Sequence, residues 1–208
     1  MKTDERFFFA ATQRNKEPIA EVLSIFLPKD GNVLEIASGS GEHAVAFQEI
    51  FQNIVWQTSD KDPLCRKSIS SWINHSGLRE KMPEPLEIDV QEAPWPLPKE
   101  FCKTLRFIAC INMVHIAPFS ATRSLFANSG KILKKGSRLF LYGPFKRNGS
   151  DTCISNKKFD QFLKAQNKNW GVRNLEEVVT LAMQNSFKTL EILEMPANNL
   201  SVIFQKAF

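Results

Sequence analysis

One short stretch, residues 32–44, constrains the fold of this chain more than any other part of the sequence. It opens with an apolar run, V-L-E-I at residues 33–36, which is typical of a strand buried on both faces. Gly39 and Gly41 follow, and apolar residues then recur at helical spacing up to Phe51. The stretch therefore predicts a strand, a glycine-rich turn and a helix. Because glycine accepts a positive φ and a helix start has free N–H groups, such a turn can hold a nucleotide-like ligand.

Two classes of cofactor use such a turn, and the acidic residues around it favour one of them. Residues 39–44, G-S-G-E-H-A, fit the dinucleotide pattern G-x-G-x-x-A, and Asp60 lies where the ribose-binding acid is expected. However, Glu35 lies inside the predicted strand, four residues before Gly39, and its charge would repel an anionic pyrophosphate. S-adenosylmethionine has no phosphate and carries a cationic sulfonium and an ammonium group. The order acid-x-x-x-Gly-x-Gly therefore favours S-adenosylmethionine over NAD(P).

The stretch L-E-I-A-S-G-S-G at residues 34–41 resembles the first motif of class I S-adenosylmethionine-dependent methyltransferases. It departs from that motif at Ala37, where the superfamily usually has a glycine, and an alanine is tolerated at that position if its φ is negative. Over nearly its full length the chain most resembles the small methyltransferase-like protein 26 family. The matching stretches are residues 14–15 with 18–19, 35–46, 56–63, 110–118, 139–144, 170–173 and 195–200. The resemblance implies methyl transfer from S-adenosylmethionine but names no acceptor.

The remaining patterns predict one α/β domain over residues 1–208. Strands are predicted at residues 33–36, 54–58, 86–90, 105–111, 138–142, 190–195 and 200–204. Four residues separate the last two strands, and this length allows a hairpin, so that pair should be antiparallel. The resemblance implies the complete fold. It is a Rossmann-like, seven-stranded, mostly parallel sheet with a C-terminal antiparallel hairpin and helices on both faces.

Two segments lie outside this repeating pattern. Residues 1–30 are expected to form an N-terminal arm and a helix, with Pro18 in the first helical turn. In the arm, the apolar residues Phe7, Phe8 and Phe9 either pack on the body of the domain or cover the ligand. Residues 143–173 are expected to be an insertion over the substrate crevice.

The cofactor is expected to contact the ends of the first three predicted strands. Asp60 ends the second strand, and its two carboxylate oxygens can accept hydrogen bonds from both ribose hydroxyls, whereas Asp62 before Pro63 suits a helix N-cap. The resemblance implies that Asp89 reaches the adenine amino group. The predicted cofactor-binding residues are Glu35, Ala37, Ser38, Gly39, Gly41, His43, Asp60, Lys61, Asp89, Val90, Asn112 and Met113.

Three residues are predicted to be catalytic: Asn112, His115 and Tyr142. Each lies at or just past the carboxyl end of a predicted strand, where open α/β sheets bind ligands. Methyl transfer is an in-line displacement, and a base is needed only where the acceptor must lose a proton. His115 is the candidate base, able to take that proton near neutral pH; the alternative is a hydrogen-bonded structural histidine.

Composition narrows the function classes further. The net charge of +5 comes from scattered lysines and arginines, which disfavours a nucleic-acid partner and fits a small-molecule substrate. The four cysteines and three histidines show no metal-ligand or disulfide spacing. Without a signal-like or membrane-spanning run, we expect a cytoplasmic protein with no membrane partner; the oligomeric state is not predicted. The alternatives are an NAD(P)-dependent oxidoreductase and a non-catalytic S-adenosylmethionine-binding protein.

Overall fold

The structure, a computed structural model, describes residues 4–208. In that range the helices are α1 (Ala10–Phe26), α2 (Glu42–Ile50), α3 (Pro63–His75), α4 (Lys99–Thr104), α5 (Phe119–Ile132), α6 (Ile154–Gln166) and α7 (Leu175–Gln184). The strands are β1 (Gly31–Ile36), β2 (Ile54–Thr58), β3 (Leu105–Ile111), β4 (Arg138–Gly143), β5 (Phe145–Lys146), β6 (Arg173–Asn174), β7 (Phe187–Met195) and β8 (Asn199–Lys206).

The main sheet has the strand order β2-β1-β3-β4-β8-β7, and β5 and β6 form a separate two-stranded sheet. β1 and β2 pair in parallel, whereas β8 is antiparallel to both β4 and β7. These pairings confirm the predicted α/β fold, with a mostly parallel sheet and an antiparallel C-terminal hairpin.

The main sheet has six strands, so the prediction of seven is wrong. The missing strand is the one predicted at residues 86–90, where Leu86 makes one isolated parallel bridge with Ser59. The next acceptor along β2, the carbonyl of Asp60, is taken by the guanidinium of Arg66 at 3.0 Å. The chain then turns, because the N–H of Glu92 donates to the carbonyl three residues before it. The extended segment ends at this turn, so the bridge does not continue as a ladder.

The first compact unit ends at Ala109 and contains the glycine-rich turn. Its core includes the fully buried side chains of Leu34, Trp56 and Phe107. The predicted helix cap is confirmed, since the carboxylate of Asp62 accepts the Leu64 N–H at 2.8 Å at the start of α3. α1 begins at Ala10 and keeps a continuous buried face, which places Pro18 in its interior. The prediction of Pro18 in a first turn is therefore wrong.

The second compact unit runs from Cys110 to Phe208 and contains the C-terminal hairpin. A short 3₁₀ helix, Pro196–Asn198, joins β7 to β8. The parallel pair β5–β6 joins the two ends of the segment that the sequence predicts as an insertion. Between them, the buried carboxylate of Asp160 accepts hydrogen bonds from Lys146 at 2.9 Å, Lys164 at 2.7 Å and the Val172 N–H at 2.8 Å. These bonds hold α6 to the strand pair.

Candidate active site

The glycine-rich turn between β1 and α2 has a backbone that few residues tolerate. Ala37, Gly39 and Gly41 all have positive φ values, of 57°, 58° and 92°. At Gly41 a Cβ atom would lie 2.9 Å from the Cα of Ile69, so close packing also requires glycine there. The positive φ of Ala37 differs from the negative value that an alanine favours. An L-residue in this region costs about 1–2 kcal/mol, so the turn stores strain at Ala37.

Asp60 holds this turn from the end of β2. Its Oδ2 accepts the Gly39 N–H and its Oδ1 accepts the Asp62 N–H, both at 2.9 Å. The side chain is buried, and burial raises the pKa of Asp60 above its usual range, while these two backbone hydrogen bonds act in the opposite direction. Each carboxylate oxygen keeps a second lone pair. Asp60 is therefore fixed beside the turn and can still accept hydrogen bonds from a ligand.

Glu35 lies within β1 and is almost completely buried, with 1% of its surface exposed. The indole N–H of Trp56 donates to its Oε2 at 3.3 Å. Burial raises the pKa of Glu35 to about 7, opposed by hydrogen bonds from Ser38 and Trp56. Near neutral pH this carboxyl is therefore divided between its two protonation states, and a cation bound nearby would favour the ionised one.

A second buried carboxylate, Glu42, is the first residue of α2. Its Oε2 accepts the Phe9 N–H at 2.8 Å and the Ser40 hydroxyl at 2.9 Å, and its Oε1 accepts the Gln13 side-chain amide at 2.9 Å. A helix N-terminus attracts anions, and here a side chain of the protein itself supplies the negative charge. The sequence patterns did not identify Glu42 as a site residue.

His43 is tied to α1 in the same way. Its Nε2 lies 2.8 Å from the Oδ1 of Asn15, and burial, with a smaller effect from Lys16, lowers the pKa of His43 to about 4. The ring is therefore neutral at physiological pH. The structure gives His43 a partner on α1, and its predicted contact with a cofactor remains a prediction.

The other predicted cofactor residues of the first unit lie on either side of β2. The backbone N–H of Ser38 donates to the Ser59 carbonyl at 2.9 Å, and its hydroxyl accepts the Ser59 N–H at 3.2 Å. Lys61 and Asp89 form an ion pair at 3.5 Å, and Val90 is buried. The bridge at Leu86 brings Asp89 and Val90 close to the end of β2 even though no strand forms there.

In the second unit, the loop after β3 has a tightly held backbone. Asn112 has a positive φ of 60°, and its N–H donates to the carbonyl of Tyr142 at 2.9 Å. The carbonyl of His115 accepts the Gly171 N–H at 3.0 Å. Met113 between them is buried. The structure thus brings the three predicted catalytic residues Asn112, His115 and Tyr142 into one region of this unit.

Arg173 fixes the same loop from β6. Its guanidinium donates to the carbonyls of Val114 at 3.3 Å, Ala117 at 2.6 Å and Asn169 at 2.7 Å. Three backbone acceptors on one planar group hold the loop in a single shape. Arg173 belongs to a sequence stretch that matches the resembled family, but its contacts depend on residues up to 59 positions away.

The side chain of His115 is buried. The ring packs edge-on against Phe159, with centroids 5.5 Å apart. A Cβ atom on Gly143 would lie 3.1 Å from His115 Nδ1 and 3.9 Å from Asn112 Oδ1. The two polar groups therefore converge beside a bare glycine. Burial, with a smaller effect from Arg173, lowers the pKa of His115 to about 4, well below the near-neutral value expected from the sequence.

Residues 4–208 contain no helix long and apolar enough to span a membrane. The same residues include no cluster of three or more His, Cys, Asp or Glu side chains arranged to hold a metal ion.

The fold is that of class I methyltransferases. An O-methyltransferase family protein from Burkholderia thailandensis superposes with a TM-score of 0.78 at 13% identity, covering 95% of this chain and 57% of that one. An O-methyltransferase family 2 protein from Planctomyces limnophilus, solved with apigenin, superposes with a TM-score of 0.78 at 17% identity. The match covers 100% of this chain and 63% of that one. Human N-acetylserotonin methyltransferase, solved with S-adenosylmethionine, superposes with a TM-score of 0.75 at 13% identity. The match covers 95% of this chain and 53% of that one. The chain thus spans between 53% and 63% of the length of each.

The family itself is defined by sequence. The chain belongs to the family described as protein of unknown function DUF938, which matches residues 6–206.

Proposed function

We propose that this protein is an S-adenosylmethionine-dependent methyltransferase that acts on a small-molecule acceptor. The observation that carries the proposal is the pair of buried carboxylates, Glu35 and Glu42, beside the glycine turn. A dinucleotide pyrophosphate would lie at the start of α2, where the Glu42 carboxylate already provides negative charge. A ligand with a sulfonium and an ammonium group avoids this repulsion.

The residues around the turn fit that cofactor, which would supply an electrophilic methyl group. Asp60 is fixed by two backbone N–H groups and keeps lone pairs for the ribose hydroxyls. Asp89 is proposed to accept from the adenine amino group, and Glu35 is proposed to favour the cationic end. The remaining proposed contacts are those of Ala37, Ser38, Gly39, Gly41, His43, Lys61, Val90, Asn112 and Met113.

The solved structures support the same class, since they are methyltransferases by name and one holds S-adenosylmethionine. At 13–17% identity they support it through the fold alone. We also propose the closer kinship with the methyltransferase-like protein 26 family that the sequence motifs imply.

On the acceptor side we propose Asn112, His115 and Tyr142. The neutral His115 ring and the Asn112 amide can orient an acceptor by hydrogen bonds. With a pKa of about 4, His115 is a weak base, so orientation is expected to contribute much of the rate. The uncharged groups at this point favour a neutral acceptor. We propose a cytoplasmic location for this reaction.

A second candidate is a non-catalytic S-adenosylmethionine-binding protein. The low pKa of His115 favours it, because a weak base adds little to proton removal. An NAD(P)-dependent oxidoreductase is disfavoured by Glu35 and Glu42.

The proposal is tested by a metabolite screen for S-adenosylhomocysteine release. The protein is incubated with S-adenosylmethionine and fractionated small molecules, with the Asp60→Ala variant as the control for cofactor-independent signal. We expect one fraction to release S-adenosylhomocysteine with the wild type only. Binding of the cofactor without release from any fraction would instead support the non-catalytic candidate.

A further inference from the structure

The segment before α1, residues 6–9, lies extended across the first unit, and we call it the N-terminal strap. The Phe7 N–H donates to the Ser68 hydroxyl at 2.8 Å, and the Phe7 carbonyl accepts the Trp72 indole N–H at 3.0 Å. The Phe9 N–H donates to Glu42 at 2.8 Å. Backbone hydrogen bonds therefore hold the strap to α3 and to the start of α2.

Two of the three side chains that hold the strap, Ser68 and Glu42, also hold the glycine turn. The Ser68 hydroxyl donates to the Ser40 carbonyl at 2.7 Å, and the Ser40 hydroxyl donates to Glu42 at 2.9 Å. Because each anchor binds both segments, the position of the strap is coupled to that of the turn.

The aromatic side chains of the strap divide into two groups. Phe8 packs edge-on against Trp72 at 5.1 Å, and the Arg6 guanidinium lies 4.8 Å from the Trp72 ring. Phe9 instead reaches the turn, since a Cβ atom on Gly39 would lie 3.4 Å from its Cε2. The Phe9 side chain is 47% exposed, so part of the ring covers Gly39 and part remains accessible.

We propose that Phe9 forms a wall of the cofactor site and that Glu42 is the positioning residue that holds it there. The inference rests on the proposed function, because it takes the glycine turn as the binding site of an adenosyl ligand. A ligand that approaches the bare backbone at Gly39 meets the exposed part of the ring, which shields it from water. The ring contacts the part shared by S-adenosylmethionine and S-adenosylhomocysteine, so it contributes to the binding of both.

Glu42 offers a specific way to loosen the strap. Its two oxygens accept three hydrogen bonds, and Glu42→Gln replaces one oxygen with an amide that donates. If the amide replaces Oε2, the two donors Phe9 and Ser40 lose their acceptor, and if it replaces Oε1, the one donor from Gln13 loses its acceptor. The side chain keeps its size, so the packing at the start of α2 is preserved.

Calorimetric titration with S-adenosylhomocysteine tests the proposal in the full chain. Phe9→Ala is expected to weaken binding about tenfold and Glu42→Gln by several-fold. The matched control Phe8→Ala removes an equal ring that contacts Trp72 and should change the affinity less than twofold. Hydrogen exchange adds a second readout: the ligand should slow exchange of the Phe9 amide in the wild type, and Glu42→Gln should accelerate it.

The outcomes separate this proposal from the proposed function. A wild type that binds no adenosyl ligand overturns both. If the wild type binds the ligand and Phe9→Ala has the same affinity but a lower melting temperature, the proposal that Phe9 is a wall of the site is wrong. The proposed function is then unaffected, and Phe9 has only a packing role. If Phe9→Ala fails to fold, Phe9→Leu and Glu42→Gln decide the question. Wild-type affinity in both folded variants contradicts the proposal.

Discussion

The glycine turn and the loop after β3 are both held rigidly, but their side chains are used differently. Around the turn, Asp60, Glu42 and His43 all hydrogen-bond to other parts of the first unit. In the loop it is the backbone of Asn112 and His115 that is hydrogen-bonded, while the His115 ring packs against Phe159 and lies beside Gly143.

This difference suggests two kinds of binding. A fully bonded turn is a preorganised site for one constant ligand, since little has to reorder on binding. The loop instead places two uncharged polar side chains, Asn112 and His115, beside Gly143, which has no side chain of its own. We infer that the loop keeps these groups for a second ligand.

The largest expected effect is that of His115→Ala, which tests the loop. Turnover should fall by roughly a hundredfold or more, because the group that orients the acceptor is lost, while cofactor affinity stays nearly unchanged. Since burial lowers the pKa of His115 to about 4, the wild-type rate at saturating S-adenosylmethionine should be level between about pH 6 and 8. Steady-state kinetics measures both. Normal turnover with a lower melting temperature would assign His115 a structural role.

Glu35→Gln tests whether the buried charge of Glu35, beside the glycine turn, lowers the stability of the protein. The pKa of Glu35 is raised from 4.5 to about 7, so the folded state binds its proton more tightly than the unfolded state. That stabilisation is complete below about pH 4.5 and is lost as pH rises through 7. Glu35→Gln should therefore be more stable than the wild type at pH 8 by about 3 kcal/mol, because a pKa difference of one corresponds to roughly 1.4 kcal/mol. Chemical denaturation at pH 4.5 and pH 8 measures the free energy of unfolding of both proteins. A difference between variant and wild type that is the same at the two pH values would contradict the raised pKa.

The same variant has a functional signature. A cation favours ionised Glu35, so wild-type affinity for S-adenosylmethionine should rise by up to about tenfold per pH unit as the pH approaches 7 from below. Glu35→Gln should bind more weakly at pH 8 and lose this pH dependence. Calorimetry at pH 6, 7 and 8 makes the comparison. Parallel pH profiles in the two proteins would remove Glu35 from cofactor binding.

Asp60→Ala tests whether a side chain that anchors the turn also holds the ligand. Cofactor affinity should fall by roughly ten- to a hundredfold, since charged hydrogen bonds contribute about 1.5–3 kcal/mol. The matched control is Asp62→Ala, which removes the cap of α3 and should cost about 1 kcal/mol of stability without changing affinity. Unchanged affinity in Asp60→Ala would leave Asp60 with the anchoring role alone.

Ala37→Gly has the smallest expected effect. Glycine relieves the strain of a positive φ of 57° but adds entropy to the unfolded chain, so the net gain should be about 0.5–1 kcal/mol. Thermal unfolding measures it. A lower melting temperature would show that contacts of the Ala37 methyl group outweigh the backbone strain.

Local patterns predicted the elements whose signals lie within a few residues. The turn after β1, the Asp62 cap and the C-terminal hairpin are of this kind. The strand predicted at residues 86–90 is wrong because the chain turns soon after its single bridge at Leu86, where the Glu92 N–H donates to the Asp89 carbonyl. The hydrogen bonds of Glu42 and His43 were not predicted because their partners lie on or before α1, some thirty residues away.

The central claim is that the glycine turn binds S-adenosylmethionine and not a dinucleotide. Calorimetric titration of the wild type at pH 8 with S-adenosylmethionine, S-adenosylhomocysteine and NAD tests it directly. Buried carboxylates on both sides of the turn predict binding of the two adenosyl compounds and little heat with NAD. Tight binding of NAD with no response to the other two would contradict it.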